Sequence, residues 1–286
     1  MRLLTWALFT VALVGASPAT ALEMRVVPPS PGQGEIVTFF LSGERGARDV
    51  EGAIGDRPLR FFRAGEQYAA LAGIDVEAKP GKVPWRVAVV DGLGVSHERT
   101  GEIVVKSRQF PVQRLTLPTP MVDLDPEAER RAASEAARLR ALYQTVSPER
   151  LWHGPFARPV AGQDPGQGFG ARRIINGKPR MPHSGVDFAA ERGTPIVAAN
   201  RGRVALVGDF FFAGRLVALD HGLGLYTLYF HLDRVDVPEG AMVERGEQIG
   251  VVGATGRATG PHLHWAAQLG SSRIDALMLL SVPVSD

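Results

Sequence analysis

Short apolar runs broken by turn residues recur along most of this chain, and they set the first expectations. Between Leu22 and Lys106, the runs Glu35–Ser42, Arg57–Arg63, Gln67–Gly73, Pro84–Asp91 and Gly101–Lys106 are rich in Val, Phe and other apolar residues. Turn-rich pieces such as Pro29-Ser30-Pro31-Gly32, Lys79-Pro80-Gly81 and Asp91-Gly92-Leu93-Gly94 separate them. That rhythm predicts a small immunoglobulin-like β-sandwich over 22–106. His97, within Ser96-His97-Glu98, falls in a polar loop and reads as a surface histidine. The pattern then changes. Ser107 to Pro120 carries three prolines and reads as an extended connector. Asp125-Pro126-Glu127 opens a helix, with Asp as N-cap, Pro at the first position and acids in the first turn. It runs to about Tyr143 with one apolar stripe, Leu139, Leu142 and Tyr143. A second helical start is expected at Ser147-Pro148-Glu149-Arg150. Residues 107–150 are therefore read as a linker with helix, docked partly on one or both domains.

From Leu151 the rhythm is again that of strands: Ile196–Ala199, Gly202–Asp209, Arg215–Asp220, Tyr226–Leu232, Gln248–Val252 and His262–Gln268. Turns such as Asp220-His221-Gly222-Leu223-Gly224 separate them, and no long helix is visible. The expected fold class is mostly β, with a mostly antiparallel sheet in the domain 151–286.

Composition closes off several functions. Hydrophobic residues make up 45% and charged residues 22%, ordinary for a folded globular chain. The formal charge of +2 does not suit a nucleic-acid binder. The absence of cysteine excludes disulfides and thiolate metal ligands. The first residues add a compartment. Met1-Arg2 is a short cationic start, Leu3 to Gly15 is mostly apolar, and Ala19-Thr20-Ala21 has the small-x-small pattern of a cleavage site. The apolar core is too short for a comfortable membrane span. Residues 1–21 thus read as a signal peptide, and the protein as exported, with no stable membrane insertion after cleavage.

Candidate chemistry gathers in two places. His183-Ser184-Gly185-Val186-Asp187 and His262-Leu263-His264 supply three imidazoles and a carboxylate at short spacings. A divalent metal held by nitrogen and oxygen needs such a set, and zinc is the usual occupant. Gly185 allows a sharp turn, so His183 and Asp187 are expected to converge from one bend. If His262–Gln268 is a strand, His262 and His264 point to the same face.

Around these residues the chain resembles the lysostaphin/LytM-type zinc endopeptidases that cut peptide cross-links of bacterial cell walls. Besides the two histidine blocks, the resemblance rests on Gly193-Thr194-Pro195-Ile196-Val197-Ala198-Ala199, Gly202-Arg203-Val204, Asp220-His221-Gly222, Tyr229-Phe230-His231-Leu232 and Gly256 through Pro261. These blocks lie in the family's order between Phe169 and Trp265. The resemblance implies a lysostaphin-type peptidase domain with metal ligands at His183, Asp187 and His264. It also implies non-ligand active-site histidines at His231 and His262. Three protein ligands leave a zinc position open for water, whose pKa the metal lowers to about 7. His231 and His262 are candidates for moving protons, with the tasks undivided between them. The implied substrate is peptidoglycan peptide and the implied compartment the periplasm. An alternative on the same fold is a cell-wall-binding or amidase-activating module without catalysis. His221 reads as structural, and His153 as packed or surface. Tyr229 is a sheet aromatic or a donor behind the site. Asn176 and the Arg172-Arg173 pair either line the cleft or are only loop residues.

Overall fold

In the computed structural model, residues 22–284 are described apart from 44–46, 48, 93 and 167. The expected signal peptide, residues 1–21, lies outside the described residues. Eight strands build the N-terminal part: β1 (Glu23–Val27), β2 (Ile36–Ser42), β3 (Asp49–Ile54), β4 (Arg57–Leu59), β5 (Phe62–Ala64), β6 (Gln67–Gly73), β7 (Gly81–Val90) and β8 (Ser96–Val105). They form two four-stranded antiparallel sheets, β1-β2-β6-β5 and β4-β3-β7-β8. Strand β2 is apolar almost throughout because both its faces are covered. Val37, Phe39 and Leu41 enter a core shared with Ile54, Val87, Val89 and Ile103. On the other face Ile36 joins the core of the C-terminal half, while Phe40 packs with Ala69 and Val284. Each such buried side chain contributes roughly 1.5–3 kcal/mol.

Polar contacts fasten the sandwich to the C-terminal half. Arg273 bridges Asp75 and Glu77, each at 2.7 Å, and Arg57 donates to Ser272 Oγ at 2.7 Å. The backbone N–H of Asp275 donates to Gly34 O at 2.8 Å.

The rest of the chain contains β9 (Val112–Leu115), α1 (Pro126–Gln144), β10 (Arg172–Ile175), β11 (Lys178–Pro179), β12 (Gly185–Ala189), β13 (Pro195–Val197) and β14 (Gly202–Phe210). It continues with β15 (Gly214–Asp220), β16 (Leu225–Val235), β17 (Met242–Val243), β18 (Gln248–Val252), β19 (His262–Leu269) and β20 (Ser272–Ile274). Its main sheet runs β12-β19-β16-β15-β14-β17, antiparallel throughout. One face of β19 and its neighbours, carrying Val186, Phe188, Tyr229, Leu263 and Trp265, is core. Helix α1 packs on the opposite face, setting Leu139, Leu142 and Tyr143 against Leu206, Leu216, Tyr226 and Leu228. Its N-cap is as expected: Asp125 Oδ1 accepts from Glu127 N and Ala128 N at 3.0 and 2.8 Å.

Several local expectations need correction. The run Arg57–Arg63 falls in two short strands, and the apolar pattern does not announce β1 and β3. β3 (DVEGAI) has little intrinsic strand character; it is held by pairing to β4 and β7. His97 lies in β8, paired with Val89, and not in a loop. No helix begins at Ser147-Pro148-Glu149-Arg150. That segment is bound instead to the turn after β15: Ser147 donates to Asp220, Leu223 N to Ser147 O, and Leu151 N to His221 O. Gly222 permits the close approach, since a Cβ there would overlap Glu149 O. The 107–120 connector is not free either. Its β9 pairs in parallel with β10, and Asn176 holds Leu117 through both its N–H and its carbonyl.

Candidate active site

The site lies on the same sheet face as α1 and begins with strand register. Asp187 of β12 faces His264 of β19, which faces Phe230 of β16. Directly opposed residues share a face, so these three side chains form one row across three strands. The Phe230 ring stacks on His264 with centroids 5.2 Å apart and planes within 4°. His262, two residues before His264, shares its face as the alternation predicts.

Asp187 is not delivered by a bend, as expected from Gly185. Gly185 opens β12, and register with β19 brings Asp187 in. The role of Gly185 is clearance: a Cβ there would lie 2.6 Å from His264 Nε2 and 2.5 Å from Trp265 O. His183 precedes the strand and is buried. Its Nδ1 lies 2.9 Å from the carbonyl of Gly168, an acceptor only, so Nδ1 carries the proton and Nε2 presents a lone pair to the site.

His231 arrives by a different device. In a regular strand it would point away from Phe230's face. Here φ is +64°, and β16 carries an irregularity in which Leu232 faces Arg215 while Tyr229 faces Val217. The left-handed residue turns the imidazole back towards the site. Its centroid lies 4.8 Å from that of His262 and 6.1 Å from that of His264. Such a conformation is strained for a residue with a Cβ and concentrates at functional positions. The ring nitrogens Nδ1 of His231 and His262 each sit 2.8 Å from a carbonyl, Thr255 O and Gly260 O respectively. Both rings therefore turn Nε2 away from those carbonyls, and His262 Nε2 lies 3.9 Å from Asp187 Oδ1.

His183 Nε2, His264 Nδ1 and Asp187 Oδ1 make a triangle with edges of 2.8, 2.9 and 3.2 Å. A tetrahedral zinc with bonds of about 2.0–2.2 Å spaces its donors roughly 3.3 Å apart, so the triangle is nearly of that size. Two nitrogen lone pairs and a carboxylate converging there need a cation between them. Burial raises the Asp187 carboxyl, but the two imidazoles beside it, His183 and His264, outweigh burial and hold Asp187 well below the ordinary carboxylate range. Burial pushes His264 down to about 4 against the pull of Asp187. Burial and the neighbouring His264 and His262 push His231 down to about 3. The imidazoles of His264 and His231 are thus neutral near pH 7, the state that binds metal or accepts a proton. Among the described residues this is the one group of potential metal donors.

A cavity of about 840 Å³ opens beside the triangle, between α1 on one side and the β10–β11 hairpin on the other. Arg173, Arg180 and Arg257 line it with His183, His231 and His264. Arg173 is on β10, and its Nη2 lies 3.8 Å from Asp187 Oδ2. Of the residues left open by the sequence, Arg173 lines the cleft, Arg172 is exposed, and Asn176 is a turn residue at φ +50°. Tyr229 is a buried sheet aromatic whose Oη accepts from Ala199 N at 2.9 Å. The sequence pattern does not single out Arg257, although it lies five residues before His262 in the loop feeding β19.

A family model for peptidase family M23 matches residues 181–276. A crystal structure assigned to the same family, from Pseudomonas aeruginosa, is 33% identical across 87% of this chain and 95% of that one, with a TM-score of 0.67. The chain belongs to peptidase family M23. Two curated relatives cover only the part that carries the site. Peptidoglycan DD-endopeptidase ShyB of Vibrio cholerae is 39% identical over 97 residues, 34% of this chain and 23% of ShyB. DD-carboxypeptidase/endopeptidase Mpg of Neisseria meningitidis is 42% identical over 93 residues, 32% of this chain and 21% of Mpg. This chain therefore matches less than a quarter of the length of either. Zinc is the cofactor of M23 metallopeptidases, and the nitrogen and oxygen donors of this M23 chain suit it.

His221, the other histidine in a matched block, is outside the site and structural, as expected. It is fully buried, with Nδ1 2.8 Å from Arg201 O and Nε2 2.7 Å from Thr227 Oγ1, and burial pushes its pKa down to about 4. An unfolded His at about 6.5 binds protons that the folded one refuses. Its stabilising effect is thus complete above pH 6.5 and is lost as pH falls to 4. Thermal melting of the metal-free protein is expected to drop across that window, and the His221→Gln protein to show a shallower drop. Identical slopes in the two proteins would remove His221 from the acid response.

Proposed function

We propose that this chain is an exported zinc endopeptidase that hydrolyses peptide cross-links of bacterial peptidoglycan. The observation that carries this reading is the convergence of His183, Asp187 and His264 beside two further imidazoles, His231 and His262, at the floor of an open cleft. In this reading His183 Nε2, Asp187 Oδ1 and His264 Nδ1 hold the zinc. Bound there, the ion supplies Lewis acidity towards a peptide carbonyl and lowers the pKa of water. The chain's own residues do the rest. Phe230 and Gly185 set the plane and depth of His264, and Gly168 O sets the tautomer of His183. His231 and His262, each with Nδ1 tied to a carbonyl, offer Nε2 to take a proton from the attacking water and return it to the leaving amine. The intact donor set counts against a non-catalytic wall-binding or activating module, which has no use for paired acid–base histidines.

Peptidoglycan is the substrate in the names of relatives such as ShyB, and the periplasm is the compartment that an export segment and that substrate fit together. The domain division proposed is residues 22–106 as the sandwich, 107–150 as the helical linker and 151–286 as the peptidase domain. In this reading the sandwich is immunoglobulin-like, which its strand order, β1-β2-β6-β5 against β4-β3-β7-β8, supports. Incubating the mature zinc-loaded protein with purified cross-linked muropeptide dimers should release monomers, identified by mass spectrometry, and a chelator should stop the release. Intact dimers after incubation with stoichiometrically loaded protein would sink the peptidase reading.

A further inference from the structure

Three guanidinium groups, those of Arg173, Arg180 and Arg257, line the cleft beside the proposed metal ligands, and among the described residues only Arg173 has a carboxylate within ion-pair reach, Asp187 Oδ2 at 3.8 Å. Arg173 and Arg257 line both the 840 Å³ cavity and a smaller one that contains Asp187, His231, His262 and His264. They therefore stand where the two cavities meet, over the reacting centre. Arg257 is half-buried, and its guanidinium carbon lies 4.2 Å from the centroid of the Phe212 ring. Its backbone N–H is held by Phe212 O at 2.9 Å, so both ends of the residue are placed by the same neighbour. Among the described residues no hydrogen bond or ion pair reaches the Arg257 guanidinium. Burial first, and then the neighbouring Arg173 and Arg180, lower its pKa.

The nearby groups are otherwise engaged. Arg173 donates from Nε to Gln113 Oε1 at 3.1 Å, and Arg180 donates from Nη2 to Val122 O at 3.1 Å. Asp123, on the cavity wall, is taken by Lys178 at 2.6 Å. The remaining acid on that wall, Glu129 of α1, makes no ion pair with Arg257. A guanidinium fork with its donors open, stacked in place and surrounded by like charge, is built to receive an anion from outside.

We propose that Arg257, in the field of Arg173 and Arg180, binds a free carboxylate of the substrate peptide next to the scissile amide. This deepens the peptidase reading and rests on it. Position decides which side of the amide carries that carboxylate. On the acyl side, the residue's own carboxyl is consumed in the scissile bond. A free carboxylate one carbon from the amide must therefore sit on the carbon that bears the leaving nitrogen. Two peptidoglycan structures have that chemistry. One is a direct cross-link to the side-chain amine of a diamino acid whose neighbouring carboxylate is free. The other is a C-terminal amino acid. A glycine-bridge peptide lacks it, because each internal glycine carries its carbonyl as an amide.

The test uses three substrates on the zinc-loaded mature protein: a directly cross-linked dimer with the carboxylate free, the same dimer with that group as carboxamide, and a stem peptide ending in a free amino acid. The wild type should prefer the free acid over its carboxamide by roughly 10- to 100-fold in kcat/KM, the usual worth of a hydrogen bond to a charged group. In Arg257→Gln this preference should collapse towards unity, and Arg257→Lys, which keeps charge but loses the fork, should fall between. Zinc content and melting temperature report whether either variant has damaged the site or the fold. Calorimetric binding of the released product, as free acid and as carboxamide, reads the same preference without turnover. The relative rates on the dimer and the C-terminal peptide tell which source of carboxylate is used. Equal rates on acid and carboxamide by the wild type, or an undiminished preference in Arg257→Gln, would overturn the proposal while leaving the peptidase reading standing. Failure to cleave any substrate would instead strike the peptidase reading, and product binding would then decide the carboxylate site by itself.

Discussion

His264→Ala and Asp187→Ala proteins are expected to fold but to lose stoichiometric zinc, and with it hydrolysis. Each removes one corner of a triangle whose edges are only 2.8–3.2 Å. Two donors do not hold the ion where three are needed, and an open position must still remain for substrate. Losing the ion removes several kcal/mol of charge stabilisation, a fall of at least about 10³-fold in rate. The two variants differ in what they leave behind. Asp187→Ala removes the carboxylate that pairs with both His183 and His264. His264→Ala removes the ring stacked on Phe230 and opens a cavity beside Gly185. The second should therefore also melt at lower temperature. Metal analysis beside a turnover assay and a thermal melt reads all three quantities. A His264→Ala protein with full zinc and full activity would show that the ligand assignment is wrong.

His231→Ala and His262→Ala should behave in the opposite way with respect to metal. Both are expected to keep zinc while losing roughly 10²–10⁴-fold in kcat, the usual worth of positioned acid–base groups. Neither ring is part of the tight triangle, and both have Nδ1 engaged with a carbonyl on the far side from the cleft. His231→Asn is a useful companion, because Asn tolerates the left-handed backbone at φ +64° better than most residues. If the Ala and Asn variants at 231 are equally inactive but fully zinc-loaded, loss of the imidazole, and not of backbone geometry, is responsible. Absence of zinc from either single mutant would move that histidine into the ligand set.

Much of this architecture can be read from one dimension because it rests on period. Strand β6 and strand β18 begin and end where the apolar runs predict, and Asp125-Pro126 starts α1 where the cap predicts. The stripe Leu139, Leu142 and Tyr143 announces that α1 needs an apolar partner. Alternation alone puts His262 and His264 on one face of β19. The family blocks single out all five candidate site residues, since spacing within a short segment is a local property.

What tertiary structure alone decides is how separate segments meet. Nothing in the order of residues states that Asp187 stands opposite His264; that follows from pairing between strands some 77 positions apart. The clearance for His264 comes from Gly185 on the neighbouring strand, whereas the sequence suggests a turn there, because a glycine's missing Cβ serves either purpose. His231 lies in a run whose alternation would send it to the wrong face, and a left-handed residue at an irregularity in β16 reverses it. Ser147–Arg150 has the local form of a helix start, yet its backbone groups find better partners in the turn after β15. Arg257 is one arginine among many until the fold sets it beside Arg173 and Arg180. Local propensity acts over a few residues, whereas register, clearance and the meeting of like charges depend on which surfaces the folded sheet brings together.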